Sequence, residues 1–173
     1  MDHAGKKKIL VIDDEEDVRR FLSTALDEAG FDVILAFDGV EGLEMVKKNR
    51  PDLISLDLVM PKHSGAKFHR ELMKNKEWAK IPIIIVTGHA RDELGKADLK
   101  ELTMSAPGIY LEKPVKPDNY IAAIKKLLGL DTTIEEKEAA ETVELQNELK
   151  NLVDSTDKET LRKIKELLRN KKP

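Results

Sequence analysis

Two adjacent acids at Asp13-Asp14, a third at Asp57, the hydroxyl of Thr87 and the amine of Lys113 are the residues of this chain best equipped for chemistry. Three carboxylates beside one hydroxyl and one amine are the set needed to place a phosphoryl group on a carboxylate. A carboxylate at a strand end, as at Asp57, can act as the nucleophile and form an acyl phosphate. An acidic pocket repels phosphate donors unless a cation is present. Mg2+ meets that need, because it takes one or two carboxylates and keeps room for water and phosphate oxygens. On this reading Asp14 and Asp57 ligate the metal directly and Asp13 acts through water. Lys113 offsets the charge that develops on the phosphoryl oxygens. Thr87 hydrogen-bonds the group once it is attached, and Gly88 leaves access open.

These residues are remote in sequence, and each patch closely follows an apolar run. The runs are Ile9-Leu10-Val11-Ile12, Leu53-Ile54-Ser55-Leu56, Ile83-Ile84-Ile85-Val86 and Gly108-Ile109-Tyr110-Leu111. Runs so rich in branched residues read as strands of a parallel sheet buried on both faces. In open α/β sheets the reactive site lies just beyond the carboxyl ends of the strands, so the four patches would meet at one end of one sheet. Helical stripes separate the runs. Val18, Phe21, Leu22, Ala25, Leu26 and Ala29 precede Gly30, and Leu43 and Val46 share a face within 42–48. Phe68, Leu72 and Met73 mark a third helix, a polar helix-like stretch runs from 91 to 104, and Tyr120, Ile121, Ala123, Ile124, Leu127 and Leu128 stripe a last one before Gly129. Phe31 to Phe37 reads as a further strand. This five-fold alternation implies right-handed crossovers and a doubly wound α/β sandwich. Pattern alone does not fix the strand order. Convergence requires the first, third and fourth of the five strands to be adjacent, with the last beside the fourth.

The 173 residues carry 30 Lys and Arg against 33 Asp and Glu, a balance that argues against generic nucleic-acid binding. The absence of cysteine excludes disulfides, thiolate metal sites and thiol catalysis, and fits a reducing, cytoplasmic setting. The longest strongly apolar stretch, Ile81 to Val86, is too short to cross a bilayer, and the charged opening from Met1 to Lys8 is unlike a secretory signal. Beyond residue 129 the composition changes. Glu135, Glu136, Glu138, Glu141, Glu144 and Glu148 face only Lys137 and Lys150, while Leu145, Leu149 and Leu152 recur at i, i+4 and i+7. After Asp154-Ser155-Thr156-Asp157, where Thr156 and Glu159 read as a capping box, a basic helix carries Leu161, Ile164 and Leu168 on one stripe. Arg162, Lys163, Lys165 and Arg169 occupy its other faces. An acidic helix followed by a basic one reads as a helical hairpin. Neither helix is long enough to be stable alone, so each needs a partner surface. Residues 130–173 are therefore expected to be a helical extension. It packs on its own domain or on a second subunit, giving a homodimer, or it docks a kinase or effector. Two helices are no DNA-binding domain, and neither DNA nor membrane is expected as a partner.

Taken singly, each motif has a plain explanation. An aspartate after a strand is commonly a helix cap, and acids at 13–16 suit a helix start. His3, His63 and His69 lack metal-ligand spacing and read as surface residues. The conjunction, in order and at successive strand ends, carries the argument. Leu10-Val11-Ile12-Asp13-Asp14-Glu15, Asp57-Leu58-Val59-Met60-Pro61, Val86-Thr87-Gly88 and Leu111-Glu112-Lys113-Pro114-Val115 together resemble the receiver domain of bacterial response regulators, the two-component partners of histidine kinases, over residues 6–129.

The resemblance implies a flavodoxin-like five-stranded sheet of order 2-1-3-4-5. It also implies Mg2+-dependent transfer of a phosphoryl group to Asp57 from the phosphohistidine of a sensor histidine kinase or phosphotransfer protein. By the same likeness Val59 lends its backbone carbonyl to the metal and the Lys113-Pro114 peptide is cis. Thr87 moves toward the phosphoryl oxygens and Tyr110 rotates inward behind it; the plainer reading of Tyr110 is an amphipathic core-edge residue. That switch would remodel the surface formed by the last strand and the helices on either side of it, where such domains meet downstream protein partners. Val59 and His89 hold the two positions that flank the phosphoryl group. Val59 cannot orient a water; His89 either orients one or is a solvated loop residue. The segment from Thr87 to Lys113 is longer than the pattern, so its helix is extended or displaced.

The function implied is a phosphorylation switch rather than an enzyme, with a phosphate sink that lacks its own output as a variant. A haloacid-dehalogenase-like phosphatase uses a similar residue set. It needs a nucleophile on the first strand and another aspartate two residues later, whereas Asp13 is followed there by Glu15, and Asp57 by Val59. No G-x-G-x-x-G follows a strand and no G-x-x-x-x-G-K-S/T is present, so nucleotide binding has no support.

Overall fold

A computed structural model of the chain describes residues 5–61, 64–88, 108–130 and 133–169. Strands β1 (Lys8–Ile12), β2 (Asp32–Ala36), β3 (Leu53–Leu56), β4 (Ile83–Thr87) and β5 (Gly108–Glu112) form one parallel sheet in the order β2-β1-β3-β4-β5. This is the flavodoxin-like order, with β1, β3 and β4 adjacent and β5 beside β4. The helices are α1 (Glu16–Glu28), α2 (Gly39–Asn49), α3 (Gly65–Met73), α4 (Pro117–Leu127), α5 (Ile134–Ser155) and α6 (Lys158–Arg169). The helix expected over 91–104 lies outside the described residues, as do His3, His63 and His89.

Successive strand residues point to opposite faces, and each face has its own core. Leu10, Ile12, Ile54, Leu56 and Ile85 pack with Val46 of α2 and with Phe68 and Leu72 of α3. Ile9, Val11, Leu53, Ile84 and Val86 pack with Leu22 and Leu26 of α1, Tyr120 and Ile124 of α4, and Val143 of α5. Each buried aliphatic side chain contributes about 1.5–3 kcal/mol, so the central strands hold the end of the sheet firmly in place. Gly30 and Gly129 close α1 and α4 with φ of 86° and 63°, a region glycine enters without steric cost.

Three local expectations change. The second helix begins at Gly39 rather than Gly42, because the Asp38 carboxylate accepts from the Val40 and Glu41 amides, both at 2.9 Å. His69, expected at the surface, is buried. It lies three residues after Ala66 and three before Leu72, so the helical repeat turns it inward with them. The cap of α6 is Asp157, whose carboxylate accepts from the amides of Glu159 (2.9 Å) and Thr160 (3.0 Å). Thr156 instead ends α5, donating its hydroxyl to the Leu152 carbonyl.

The capping box of the extension stands at the start of α5. Glu136 accepts from the Thr133 amide (2.8 Å) and Thr133 Oγ1 from the Glu136 amide (3.2 Å). From there α5 runs over α4 and β5, with Ala140 and Val143 buried. Ion pairs Lys125–Glu136 and Lys126–Glu144 fasten it to α4. Lys150 reaches β5, pairing with Glu112 at 3.3 Å and resting 4.1 Å from the ring centre of Tyr110.

Candidate functional site

The sheet ladder sets the site residues level with one another. Ile12 pairs with Leu56 and Thr87 with Glu112, so Asp13, Asp57 and Lys113 each stand one step past a paired residue. Backbone bonds fix these steps: the Asp57 amide donates to Ile12 O at 2.9 Å, and the Lys113 amide to Thr87 O at 3.0 Å. The Asp13 amide donates to Ala36 O at 3.2 Å.

Each buried carboxylate spends one oxygen on the chain just after it. Asp13 Oδ1 accepts from the Glu15 amide at 2.9 Å, and Asp57 Oδ1 from the Val59 amide at 3.0 Å. The other oxygens turn to one ammonium. Lys113 Nζ lies 2.8 Å from Asp13 Oδ2, 2.9 Å from Asp57 Oδ2 and 2.9 Å from Glu15 Oε1. Three acceptors match the three donors of an ammonium group. Asp57 is only 4 % exposed, whereas Asp14 stands in solvent at the mouth.

Burial, the strongest influence on Asp13, raises its pKa against the opposing hydrogen bonds from Lys113 and the Glu15 amide. At Lys113 burial works against the charge, but hydrogen bonds to Asp13, Glu15 and Asp57 outweigh it and raise the pKa. The ammonium therefore stays charged at any physiological pH. Beneath the acids, burial also raises the pKa of Tyr120, whose hydroxyl lies against Ser55 without a hydrogen bond of normal geometry.

The donor set suits a hard divalent cation. One carboxylate oxygen from each of Asp13, Asp14 and Asp57 lies within 4.8 Å of the others. Among the described residues, Asp13, Glu15 and Asp57 share the Lys113 ammonium with Asp14 beside them, leaving negative charge for a cation with oxygen preference to neutralise. A second feature points to an oxygen-rich ligand. Thr87 Oγ1, at the end of β4, is buried with no hydrogen-bond partner among the described residues. An unmet buried hydroxyl costs about 1–3 kcal/mol, and a phosphoryl oxygen would meet it.

Thus Asp13, Asp14, Asp57 and Lys113 come together as expected, with Thr87 at the neighbouring strand end. The Val59 amide holds Asp57, which seats that peptide beside the acids. The Lys113-Pro114 peptide is cis. Tyr110 is half-buried on β5, opposite Ile85, as a core-edge residue would be. Two contributors were missed. Glu15 reads in sequence as helix-start charge, yet it is the third partner of Lys113. Gly65 opens α3 against the loop that follows Asp57, donating its amide to Leu58 O at 3.1 Å. A Cβ there would stand 2.0 Å from Asp57 O and 2.8 Å from Leu58 Cα.

A family model for the response regulator receiver domain matches residues 9–125. The chain belongs to this family. Phosphorylation and Mg2+ binding are characteristic of receivers. Similar proteins include a probable transcriptional regulator of Porphyridium aerugineum, 41% identical over 71% of this chain and 48% of its own length. The polar-differentiation response regulator DivK of Brucella anthropi is 28% identical over 71% of this chain and 97% of its own. The chain spans about half the length of several curated relatives it matches. Among solved structures, a receiver domain from Clostridium thermocellum aligns with a TM-score of 0.61 and 33% identity over 71% of this chain and 94% of that one. The chemotaxis protein CheY4 of Vibrio cholerae aligns with a TM-score of 0.62 and 28% identity over 71% of this chain and 99% of that one. Among the described residues, no helix is long and apolar enough to cross a membrane.

Proposed function

We propose that this receiver, residues 6–129, accepts a phosphoryl group on Asp57 from the phosphohistidine of a sensor histidine kinase or phosphotransfer protein. It then signals by contact with a downstream protein partner in the cytoplasm, residues 130–173 being its helical extension. The observation that carries this reading is the three-way grip of Lys113 on Asp13, Glu15 and Asp57, which leaves one buried carboxylate aligned and its neighbours rich in negative charge.

The bond formed runs from a carboxylate oxygen of Asp57 to phosphorus, and the bond broken joins phosphorus to the donor imidazole. Asp13, Asp14, Asp57 and the Val59 carbonyl would hold Mg2+, which when bound supplies positive charge against the phosphoryl oxygens. Lys113 keeps the acceptor in position and offsets charge on the opposite side. The Thr87 hydroxyl, without a partner among the described residues, supports a role as donor to the new phosphoryl group, and Tyr110, two residues before Glu112 on the adjacent strand, would respond. The basic α6 carries no aromatic residue, which supports a protein rather than a nucleic-acid target.

Acetyl phosphate with Mg2+ should add a single phosphoryl group, read by intact mass, and Asp57→Ala should add none. Equal labelling of both proteins, or none of the folded wild type, would overturn the assignment.

A further inference from the structure

Helix α5 is anchored by one face and bare on the other. Glu136, Ala140, Val143 and Lys150 hold it to the receiver. At 100° per residue Leu145, Leu149 and Leu152 lie on the opposite side, and they are 58 %, 62 % and 59 % exposed. A helix whose only task was to cover its own domain would be polar there. Helix α6 carries a second stripe, with Leu161 half-buried and Ile164 42 % exposed.

The two stripes mirror each other about the Thr156-Asp157 turn. Leu152 and Leu161 stand equally far from it, as do Leu149 and Ile164, and as do positions 145 and 168, both leucine. Antiparallel packing of α5 on α6 would therefore align every layer, with the alternating three- and four-residue spacing of interlocking helices. Charge agrees: α5 has seven acids against two lysines, and α6 five bases against two glutamates. Yet in the single chain the facing leucines remain open to solvent.

We propose that α5 of one copy pairs antiparallel with α6 of a second copy, and the reverse, so that the extension makes a symmetric dimer. A two-fold axis accommodates this pairing, since the contact of Leu149 with Ile164 of the second copy recurs as the contact of Ile164 with Leu149 of the second copy. Leu145, Leu149 and Leu152 then lose their water, and the acidic outer face of α5 meets the basic helix of the neighbouring copy.

The chain has no native thiol, so crosslinking is a direct test. Full-length Leu149→Cys and Ile164→Cys chains, one of them tagged, are mixed and oxidised. The expected product is the mixed covalent dimer at twice 19.5 kDa, with little of either self-crosslinked species. In a chain carrying both substitutions, intermolecular bonds should again dominate. Monomers closed by an internal disulfide would overturn the proposal in favour of a folded-back hairpin, and the mixed product at only about the statistical share, twice the yield of each self-crosslinked species, would mean collision without a defined interface and refute it too. By light scattering the wild type should double in mass, and Leu149→Glu with Ile164→Glu should restore 19.5 kDa with an unchanged receiver melt. A wild type that stays monomeric at high concentration, or a double variant that stays dimeric, also refutes it.

Discussion

Replacing Gly65 by alanine should damage stability and chemistry together. The added methyl would start 2.0 Å from the Asp57 carbonyl oxygen, and ordinary contact begins at 3.4 Å. The obstacle is backbone, so no rotamer relieves it; the start of α3 or the acceptor loop must retreat by about 1.4 Å. Overpacking of this kind costs about 1–3 kcal/mol. The Gly65–Leu58 hydrogen bond adds about 1 kcal/mol, and alanine's advantage over glycine in a helix returns about 0.5–1 kcal/mol. A net loss of about 1–3.5 kcal/mol follows, which lowers Tm by roughly 2–14 °C for a chain of this size. Because the loop carries Asp57, the acceptor carboxylate moves with it, and a 1 Å misplacement costs about 100-fold in rate. Urea denaturation gives the first quantity and the rate of labelling by acetyl phosphate with Mg2+ the second. An alanine variant with the wild-type midpoint and rate would show that α3 does not press on the acceptor loop, and the reasoning would fail.

Three further perturbations are informative. Lys113→Met strands two buried carboxylates and should cost about 3 kcal/mol in urea at neutral pH; added Mg2+ should then raise its melting point more than that of wild type, because the competing ammonium is gone. Thr87→Val removes a hydroxyl that has no partner among the described residues, so it should stabilise the resting protein by up to about 1 kcal/mol while weakening any phosphorylation-dependent change in Tyr110 fluorescence. Asp52 tests electrostatics at the other end of the sheet, where its carboxylate accepts from the Lys8 amide at 2.8 Å and pairs with Lys7 at 2.9 Å. Partial burial raises its pKa, but these bonds outweigh burial and the net shift is downward from 3.8. The unfolded chain thus binds more protons below that value, so the contribution is whole at neutral pH and fades as pH drops through the folded pKa. Asp52→Asn should lower stability by about 0.5 kcal/mol at pH 7, and the urea midpoints of the two proteins should draw together as the pH falls below 3.8.

The sheet and its acids were legible because buried parallel strands leave continuous apolar runs, and the functional groups stop those runs abruptly. The strand order came from the likeness to receivers, since no local pattern encodes which runs lie side by side. Glu15 and Gly65 escaped notice for a different reason: their roles depend on Lys113 and Asp57, which are distant in sequence and meet them only in the fold. Position 69 shows the limit of residue type as a guide, because helical phase overrode the polarity of histidine. In α5 the sequence favours the wrong face. Its docked side holds only the small Ala140 and Val143, while the louder leucine stripe looks outward. The cap of α6 falls one position after the expected Thr156, since Thr156 and Asp157 both carry acceptors and only backbone geometry chooses between them.

Lys150 is seated on Tyr110 and Glu112, and the next residue along that strand is Lys113. The extension consequently senses the same few peptide units that the reactive pocket uses to hold its ammonium. Lifting a lysine off an aromatic ring at an exposed site takes about 0.5–1 kcal/mol, a roughly two- to five-fold bias on any equilibrium that displaces the strand's end. Displacing the tail and displacing the end of β5 are therefore coupled, modestly and in both directions.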